Sequence, residues 1–334
     1  MASLLTNAAA MTALQTLAST NKSLDTTQNR ISTGLRISSA ADGAAYWSIA
    51  TTMRSDNKSL SAVQDSLGLG AATVDVQYTA LDATVDQLTE IGKLLVSAKT
   101  PGVNRGQIQE DIKARLGQIN SIASSSVFNS ENWLSVDSSA ADYNKDKSVV
   151  ASFSRVGDAI SIETITVDVN EIKLYDANAT PTTVGTAPTA AADGAVKMTD
   201  KGLFDSEWQV WSDGLATPGV VSLSIADLDI SGLSDSADDQ ATLSAYISIV
   251  DAALGSLTDA ASNLGAVKNR IDTQKDFVQS LTDAIDRGIG QLVDADMNAE
   301  STRLQALQTQ QQLGIQALSI ANSNSQNILS LFRG

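Results

Sequence analysis

Leu, Val or Ile recurs at every seventh position from Leu243 to Leu292, through Val250, Leu257, Leu264, Ile271, Val278 and Ile285. A second ladder of the same period runs through Leu60, Leu67, Val74, Leu81, Leu88 and Leu95. A strict seven-residue apolar repeat keeps one seam of an underwound helix turned toward a partner, the condition for coiled-coil packing. At ~1.5 Å per residue, fifty such positions make a rod of about 75 Å. The expected fold is therefore mainly α, an elongated coiled-coil-like helical rod built from both ends of the chain. Residues 1–36 repeat the period, with Leu17, Leu24 and Ile31 on one line and Leu14 and Leu35 on the adjoining one, where Asn21 and Gln28 interrupt. Polar residues at such positions weaken a seam while fixing its register.

Turn chemistry divides the pattern. Ser38 to Gly43 reads as a turn, helix resumes near Asp56, and Thr100-Pro101-Gly102 stops it after Lys99. Ile108, Ile112, Leu116, Ile119 and Ile122 place another helix over about Arg105 to Ser124. From Val127 the period changes to two. Ile160 and Ile162, then Ile165, Val167 and Val169, alternate with polar residues, and the one-residue phase slip predicts a bulge. Val221, Leu223 and Ile225, then Leu228 and Ile230, do the same, with a loop over Thr180 to Asp193 between them. Helix returns near Asp239 and is expected to last, with Gly interruptions at Gly265, Gly288 and Gly290, almost to the end. A small β-rich outer insert, 137–239, thus interrupts the helical rod, whose expected extents are 41–136 and 240–299; 1–40 and 300–334 are the terminal helices.

Charge sharpens that division. The net charge is −16 over 334 residues. Residues 137–240 carry eighteen Asp and Glu against six Lys and Arg, whereas 1–21 and 304–332 carry no charged side chain at all. The second stretch interleaves Gln305, Gln308, Gln310, Gln311, Gln312 and Gln316 with Leu304, Leu307, Leu313, Ile315, Leu318 and Ile320. Amide and hydroxyl faces without charge suit crowded helix–helix contacts, where an unpaired charge would cost several kcal/mol. Both ends are therefore expected to be ordered by partners; whether they are also ordered in the free monomer is left open by the pattern. An acidic, solvated middle argues against nucleic acid. The sequence has no run of about 20 apolar residues, so no membrane span is expected, and the N-terminus lacks the basic and apolar regions of a signal peptide.

Chemistry is thinly represented. Without Cys there is no disulfide or thiolate, and without His there is no imidazole base or ligand. Asp142, Asn144, Asp146 and Ser148 imitate half a calcium loop, but Lys147 stands where the loop needs Gly and Phe153 where it needs Glu. Gly68-Leu69-Gly70 lies inside a heptad helix rather than after a strand, so it is no phosphate loop. Asp235, Asp238 and Asp239 read as an acidic helix N-terminus, and Trp208 with Trp211 as a small core. No catalytic constellation, metal site or cofactor site emerges, and no enzyme is expected.

The segment Asn29-Arg30-Ile31-Ser32-Thr33-Gly34-Leu35-Arg36-Ile37-Ser38-Ser39-Ala40-Ala41-Asp42-Gly43-Ala44-Ala45 is similar to the signature of bacterial flagellins. Ser126-Val127-Phe128-Asn129, Leu264-Gly265-Ala266-Val267-Lys268-Asn269-Arg270 and Gln326-Asn327-Ile328-Leu329-Ser330-Leu331-Phe332-Arg333 resemble the family as well. Tyr46-Trp47-Ser48, in place of the usual small residues, resembles flagellins of alphaproteobacteria such as rhizobia. The resemblance covers about 1–136 and 240–334. It implies a structural subunit that self-assembles into the extracellular flagellar filament for swimming motility, with a flagellar junction protein as the alternative. A flagellin bearing a zinc protease would need His-Glu-x-x-His, which a chain without His cannot supply.

Family membership further implies a homopolymer, with admixture of other flagellins left open. The implied partners are the flagellar export apparatus, a flagellin chaperone, and junction and cap proteins; no cofactor is implied. The expected subunit-interface residues are Leu4, Met11, Leu14, Leu17, Leu24, Ile31 and Leu35 at one end, and Leu307, Leu313, Leu318, Ile320, Ile328, Leu329, Leu331 and Phe332 at the other. Where detected members present Gln-Arg-Val-Arg-Glu-Leu to a vertebrate Toll-like receptor, this chain has Thr89-Glu90-Ile91-Gly92-Lys93-Leu94. Glu90, Gly92 and Lys93 are thus altered receptor-site positions.

Overall fold

A computed structural model describes residues 7–157, 159–190 and 193–331, with side chains through 323. Five helices dominate it: α1 (Ala8–Thr33), α2 (Ala40–Ala98), α3 (Arg105–Ser125), α4 (Ala237–Val293) and α5 (Met297–Leu331). Seven strands lie between α3 and α4: β1 (Ser135–Val136), β2 (Asp146–Val156), β3 (Ala159–Asp168), β4 (Tyr175–Asp176), β5 (Ala195–Lys197), β6 (Glu207–Ser212) and β7 (Gly219–Ser224). The chain is mainly helical with a small strand-bearing insert, as the periodicities require. It forms two compact units, a terminal one of Met1–Ser59 with Ser280–Gly334 and a central one of Leu60–Gln279.

In the central unit the ladders are the core. Leu67, Val74, Leu81, Leu88 and Leu95 on α2 are fully buried, as are Leu257 and Ile271 on α4. Ile112, Leu116, Ile119 and Ala123 of α3 join them, while Ile108 and Ile122 are half-buried. Between α2 and α4, Gln64 donates to Gln279 at 2.6 Å, and Lys268 pairs with Asp75 while lying 5.7 Å over the Tyr78 ring. Arg105, at the start of α3, ties the unit's turns together. Its Nε donates to the Ala98 carbonyl at 3.0 Å, Nη1 to the Leu233 carbonyl at 3.2 Å, and Nη2 pairs with Asp235 at 2.6 Å. Asp235 is thereby a counter-ion to a buried guanidinium, whereas Asp238 and Asp239 do occupy the first turn of α4.

The insert packs on this frame. β2 and β3 form an antiparallel hairpin whose register shifts between Val150 and Ser152, so the bulge predicted from β3 sits on its partner at Ala151. Its inner end buries Val149, Ala151, Ile165 and Val167, while Ile160 and Ile162 beyond the slip are exposed. Gly70 explains how the hairpin seats on α2: a Cβ there would lie 2.2 Å from Val149 Cγ1. β5, β6 and β7 form an antiparallel sheet in that order, and β1 pairs with β4 in parallel. Trp208 is buried and donates to the Leu203 carbonyl at 3.0 Å, but Trp211 is only half-buried and donates to Asp213.

The second predicted strand ends early. After β7 the chain turns through a 3₁₀ segment, Ile225–Asp227. Leu228 and Ile230 are then held by the Gln109 side chain, whose amide donates to the Leu228 carbonyl and accepts from the Ile230 N–H. A helix side chain here supplies the two hydrogen bonds a neighbouring strand would give.

Two helix boundaries differ from expectation. α2 begins at Ala40, not Asp56, with a kink at Gly43 inside it. Asp42 makes the early start workable, accepting from the backbone N–H and hydroxyl of both Ser38 and Ser39. At the other end, α4 stops at Val293 and a new helix starts at Met297, whereas Gly265, Gly288 and Gly290 remain helical. The break carries no Gly or Pro; Asp296 caps α5 by accepting from Asn298 and Ala299 N–H. An 18-residue window of α4 reaches a mean hydropathy of 1.3, so this helix is long and apolar enough to cross a membrane by length and composition alone. Its apolar seam is the core ladder of the central unit.

Candidate functional site

α1 and α5 form an antiparallel pair in the terminal unit. Asn7 donates to the Ala321 carbonyl at 3.0 Å, Gln311 to Asn21 at 2.8 Å, and Arg30 pairs with Glu300 at 2.9 Å, marking successive levels along it. The inward positions of α1 are Ala10, Ala13, Leu17, Thr20, Leu24, Thr27 and Ile31, spaced three and four apart. Those of α5 are Leu304, Leu307, Gln311, Gly314, Leu318 and Ala321. Small and hydroxylic residues bring the helices close: a Cβ on Gly314 would lie 3.1 Å from Leu17 Cδ1. The second line of the seam is therefore Ala13, Thr20 and Thr27, not Leu14, Asn21 and Gln28. A short threonine turns its hydroxyl back to its own helix, as Thr20 does to the Thr16 carbonyl, and presents its methyl to the partner.

The predicted interface residues consequently divide. Leu17, Leu24, Ile31, Leu307 and Leu318 line the seam and are half-buried. Met11 and Leu14 on α1 are 65% and 58% exposed, and Leu313 and Ile320 on α5 are 58% and 63% exposed. Leu35 packs elsewhere, against a cluster of Ile37, Ala50, Ile289 and Val293. Leu4 and Phe332 lie outside the described residues, as do the side chains of Ile328, Leu329 and Leu331.

The signature segment builds the joint beside this pair. Gly34 ends α1 at φ 73°, a left-handed conformation suited to Gly, and its N–H donates to the Arg30 carbonyl. Arg36 and Ile37 N–H both donate to the Val293 carbonyl, Ala295 N–H donates to the Gly34 carbonyl, and the Arg36 guanidinium reaches the Leu292 carbonyl. The break after α4 thus exists to receive residues 34–37.

On α2 in the central unit, Glu90 pairs with Lys93 at 2.7 Å and with Arg115 of α3 at 3.7 Å. The Lys93 hydrogen bond holds the Glu90 carboxyl below the usual carboxylate range. Gly92 lines a groove of about 380 Å³ between α2 and α4, with Val96, Ile247 and Leu254 among its walls. Among the described residues no group of acidic side chains is arranged to hold a metal ion. The quasi-calcium segment is instead the entry to β2, where Asn144 accepts from Asp146 N–H and Asp146 pairs with Lys145.

The comparisons agree with this anatomy. The family model of the bacterial flagellin N-terminal helical region matches residues 4–139, and that of the C-terminal helical region matches 247–332. The chain belongs to the bacterial flagellin family. Flagellin C of Rhizobium meliloti (strain 1021) is 48% identical over all of both chains, and the flagellin of Brucella melitensis biotype 1 is 45% identical, again over all of both. Flagellin A of Rhizobium meliloti is 42% identical over its full length. A solved FliC structure from Burkholderia pseudomallei covers 60% of this flagellin and 99% of its own chain at 17% identity and TM-score 0.35, too distant to carry a role across. This flagellin is a structural subunit that self-assembles into the bacterial flagellar filament for swimming motility, and these relatives favour that reading over a junction protein. Sequence reasoning missed Arg105, Gln109 and Asp296, single polar residues whose importance comes from which carbonyls and amides the fold brings to them.

Proposed function

We propose that residues 1–40 and 300–334 form the filament core, that 41–136 and 240–299 surround it, and that the 137–239 insert faces outward. The observation that carries this is the charge-free stretch of the α1–α5 pair, residues 8–21 against 304–323, with Met11, Leu14, Leu313 and Ile320 exposed on it. A two-helix pair has no second layer of its own to cover these side chains, and copies of the same subunit supply one. The seam residues Leu17, Leu24, Ile31, Leu307 and Leu318 set the geometry of the pair and so the spacing of its outer faces. Leu4, Ile328, Leu329, Leu331 and Phe332 extend the same uncharged ends.

The chain reaches its extracellular site through the flagellar export apparatus, escorted by a chaperone, and meets junction and cap proteins at the filament ends. It works as a polymer component, not as an enzyme, and binds neither nucleic acid nor a cofactor. It is also a poor ligand for the vertebrate receptor. Glu90 and Lys93 reverse the charges of the detected members, and Glu90 is already engaged by Lys93 and Arg115. Electron microscopy of purified protein after adding salt or filament seeds tests the core reading. Filaments are expected; protein that stays monomeric under both conditions overturns it.

A further inference from the structure

The α1–α5 seam repeats so regularly that its packing does not fix its register. On α1 the inward lines are Ala10, Leu17, Leu24 and Ile31, and Ala13, Thr20 and Thr27, each stepping by seven residues. On α5 they are Leu304, Gln311 and Leu318, and Leu307, Gly314 and Ala321, with the same step. Sliding α1 by one heptad, about 10.5 Å, therefore returns every inward line to an inward line. The slide carries Leu24 to the place of Leu17, opposite Gly314. It also carries Gln28 to the place of Asn21, so the Gln311 amide, now 2.8 Å from Asn21, meets an amide in either register. Asn7 binds a main-chain carbonyl, at Ala321, and every turn of a helix offers one. The ion pair is different. Arg30 Nη1 lies 2.9 Å from Glu300 Oε1, and the slide would leave Arg30 level with Leu307.

We propose that Arg30 and Glu300 determine the register of the terminal helices, and so which residues α1 and α5 present outward together. The inference rests on the reading of this pair as the filament core and names the residues that align it. The Glu300 side chain is 10% exposed, and its Oε2 is buried without a hydrogen-bond partner among the described residues. An ion pair left half-satisfied in this way stabilises no more than well-packed apolar side chains of similar volume would. Its best-attested use is to single out one register. Placement supports the same role. Arg30 is in the last turn of α1 and Glu300 in the first turn of α5, each favourable to its own helix dipole. Lys22 and Asp25, the other charged side chains of α1, are exposed, so no second inward cation on α1 competes for Glu300. Copies that repeat by symmetry must present identical faces, which a pair mixed in register cannot do.

The chain has no Cys, so engineered cysteine pairs report the register without interference. A Cβ on Gly314 would lie 4.0 Å from Leu17 Cβ, within disulfide reach. Leu17→Cys/Gly314→Cys therefore reads the observed register, and Leu24→Cys/Gly314→Cys reads the slid one. Both are oxidised in seeded filaments, and the intrachain disulfide is quantified by peptide mass. With the ion pair intact, the first pair is expected to bond and the second to stay largely reduced. Arg30→Met/Glu300→Met keeps the apolar stems and should raise the bonded fraction of the second pair about tenfold. The reversed pair Arg30→Glu/Glu300→Arg should bring it back down. Filaments of the Met variant in which the second pair stays as reduced as before overturn the proposal. If the Met variant does not polymerise, the reversed pair decides. Filaments bonded through the first pair then support the proposal, and no filaments, or bonding through the second pair, overturn it. Filaments with the ion pair intact that bond equally through both pairs sink the register assignment and spare the core reading; native protein that never polymerises sinks both.

Discussion

The terminal pair and the central unit are written in the same seven-residue period, yet only the central unit closes a core. Along α2 and α4 the ladder residues from Leu67 to Leu95 and from Leu243 to Val278 are essentially without solvent contact. Along α1 and α5 the seam leucines are half-buried, Thr20 and Thr27 fill inward positions, and whole apolar side chains stand outside. The difference lies in layers. The central helices have α3 and the β2–β3 hairpin of their own chain in the same unit, so every ladder position is enclosed. Two helices alone enclose one line of side chains and leave the rest to water. A heptad repeat thus specifies pairing, while closure depends on what else the chain or its copies bring.

The largest effect expected from that contrast is on assembly. Deleting 1–30 or 304–334 removes one helix of the terminal pair and leaves every buried residue of the central unit in place. Both truncations should retain cooperative unfolding of the central unit by circular dichroism and yield no filaments on seeding. Filaments of normal appearance from either would break the division between a self-sufficient core and one completed by copies.

A single charge should separate the regions almost as sharply. Leu318 faces the seam, where an Asp would be placed against Leu and Ala without a cation in reach of 304–331. The cost is several kcal/mol per subunit. Thr186 is exposed in the insert, and Thr186→Asp there adds a charge to a solvated, already acidic region. Swimming in soft agar should be lost with Leu318→Asp and nearly normal with Thr186→Asp. Equal motility of the two would remove the assignment of crowded and solvated faces.

Closure of the central unit has its own test at Gly70. A Cβ there meets Val149 Cγ1 at 2.2 Å and Cγ2 at 2.7 Å, so Gly70→Ala should lift the hairpin and cost about 1–3 kcal/mol. Truncating the neighbour in the double variant Gly70→Ala/Val149→Ala should recover part of that loss, a coupling readable from thermal unfolding. Strictly additive losses would show that the hairpin does not seat on α2 through this contact.

These positions also show where the sequence stops being legible. The ladders, α3, the acidic insert and the uncharged ends were all readable, because each is a repeated signal in which many residues agree. The breaks were not. Residues 294–296 end a helix because the Val293 carbonyl is claimed by Arg36 and Ile37 and the Gly34 carbonyl by Ala295, partners about 260 positions apart in the chain. Leu228 and Ile230 alternate like a strand, but their partner is one side-chain amide on α3. Asn21 and Gln28 read as interruptions of the Leu14 line, and only the close approach at Gly314 makes the neighbouring Thr20 and Thr27 the inward positions, where a short side chain fits better than a leucine. Isolated polar residues such as Arg105 carry no pattern, so their role follows from the fold alone.

The smallest expected effect concerns pH and again divides the regions. The 304–331 helix has no titratable side chain, whereas the insert buries several. Burial, with Lys173 nearby, pulls Lys197 down to about 8, although its ammonium group reaches the Lys201 carbonyl at 2.6 Å. Burial, with the Asp205 carboxylate adding to it, pushes Tyr175 up to about 12. Between about pH 8 and the ordinary lysine range near 10.5 the unfolded chain holds a proton on Lys197 that the folded chain has lost, so stability rises with pH there. Above pH 10 the unfolded Tyr175 loses its proton before the folded one does, and stability falls as pH climbs toward 12. Lys197→Met removes the first effect and keeps the aliphatic stem. The melting temperature of native protein, taken relative to Lys197→Met, should therefore climb by a few degrees from pH 7 to pH 10, while the pH dependence of seeded assembly is the same in both. A flat difference would mean that Lys197 titrates as a solvated lysine, and a matching change in assembly would mean that the insert reaches into the contacts assigned to the ends.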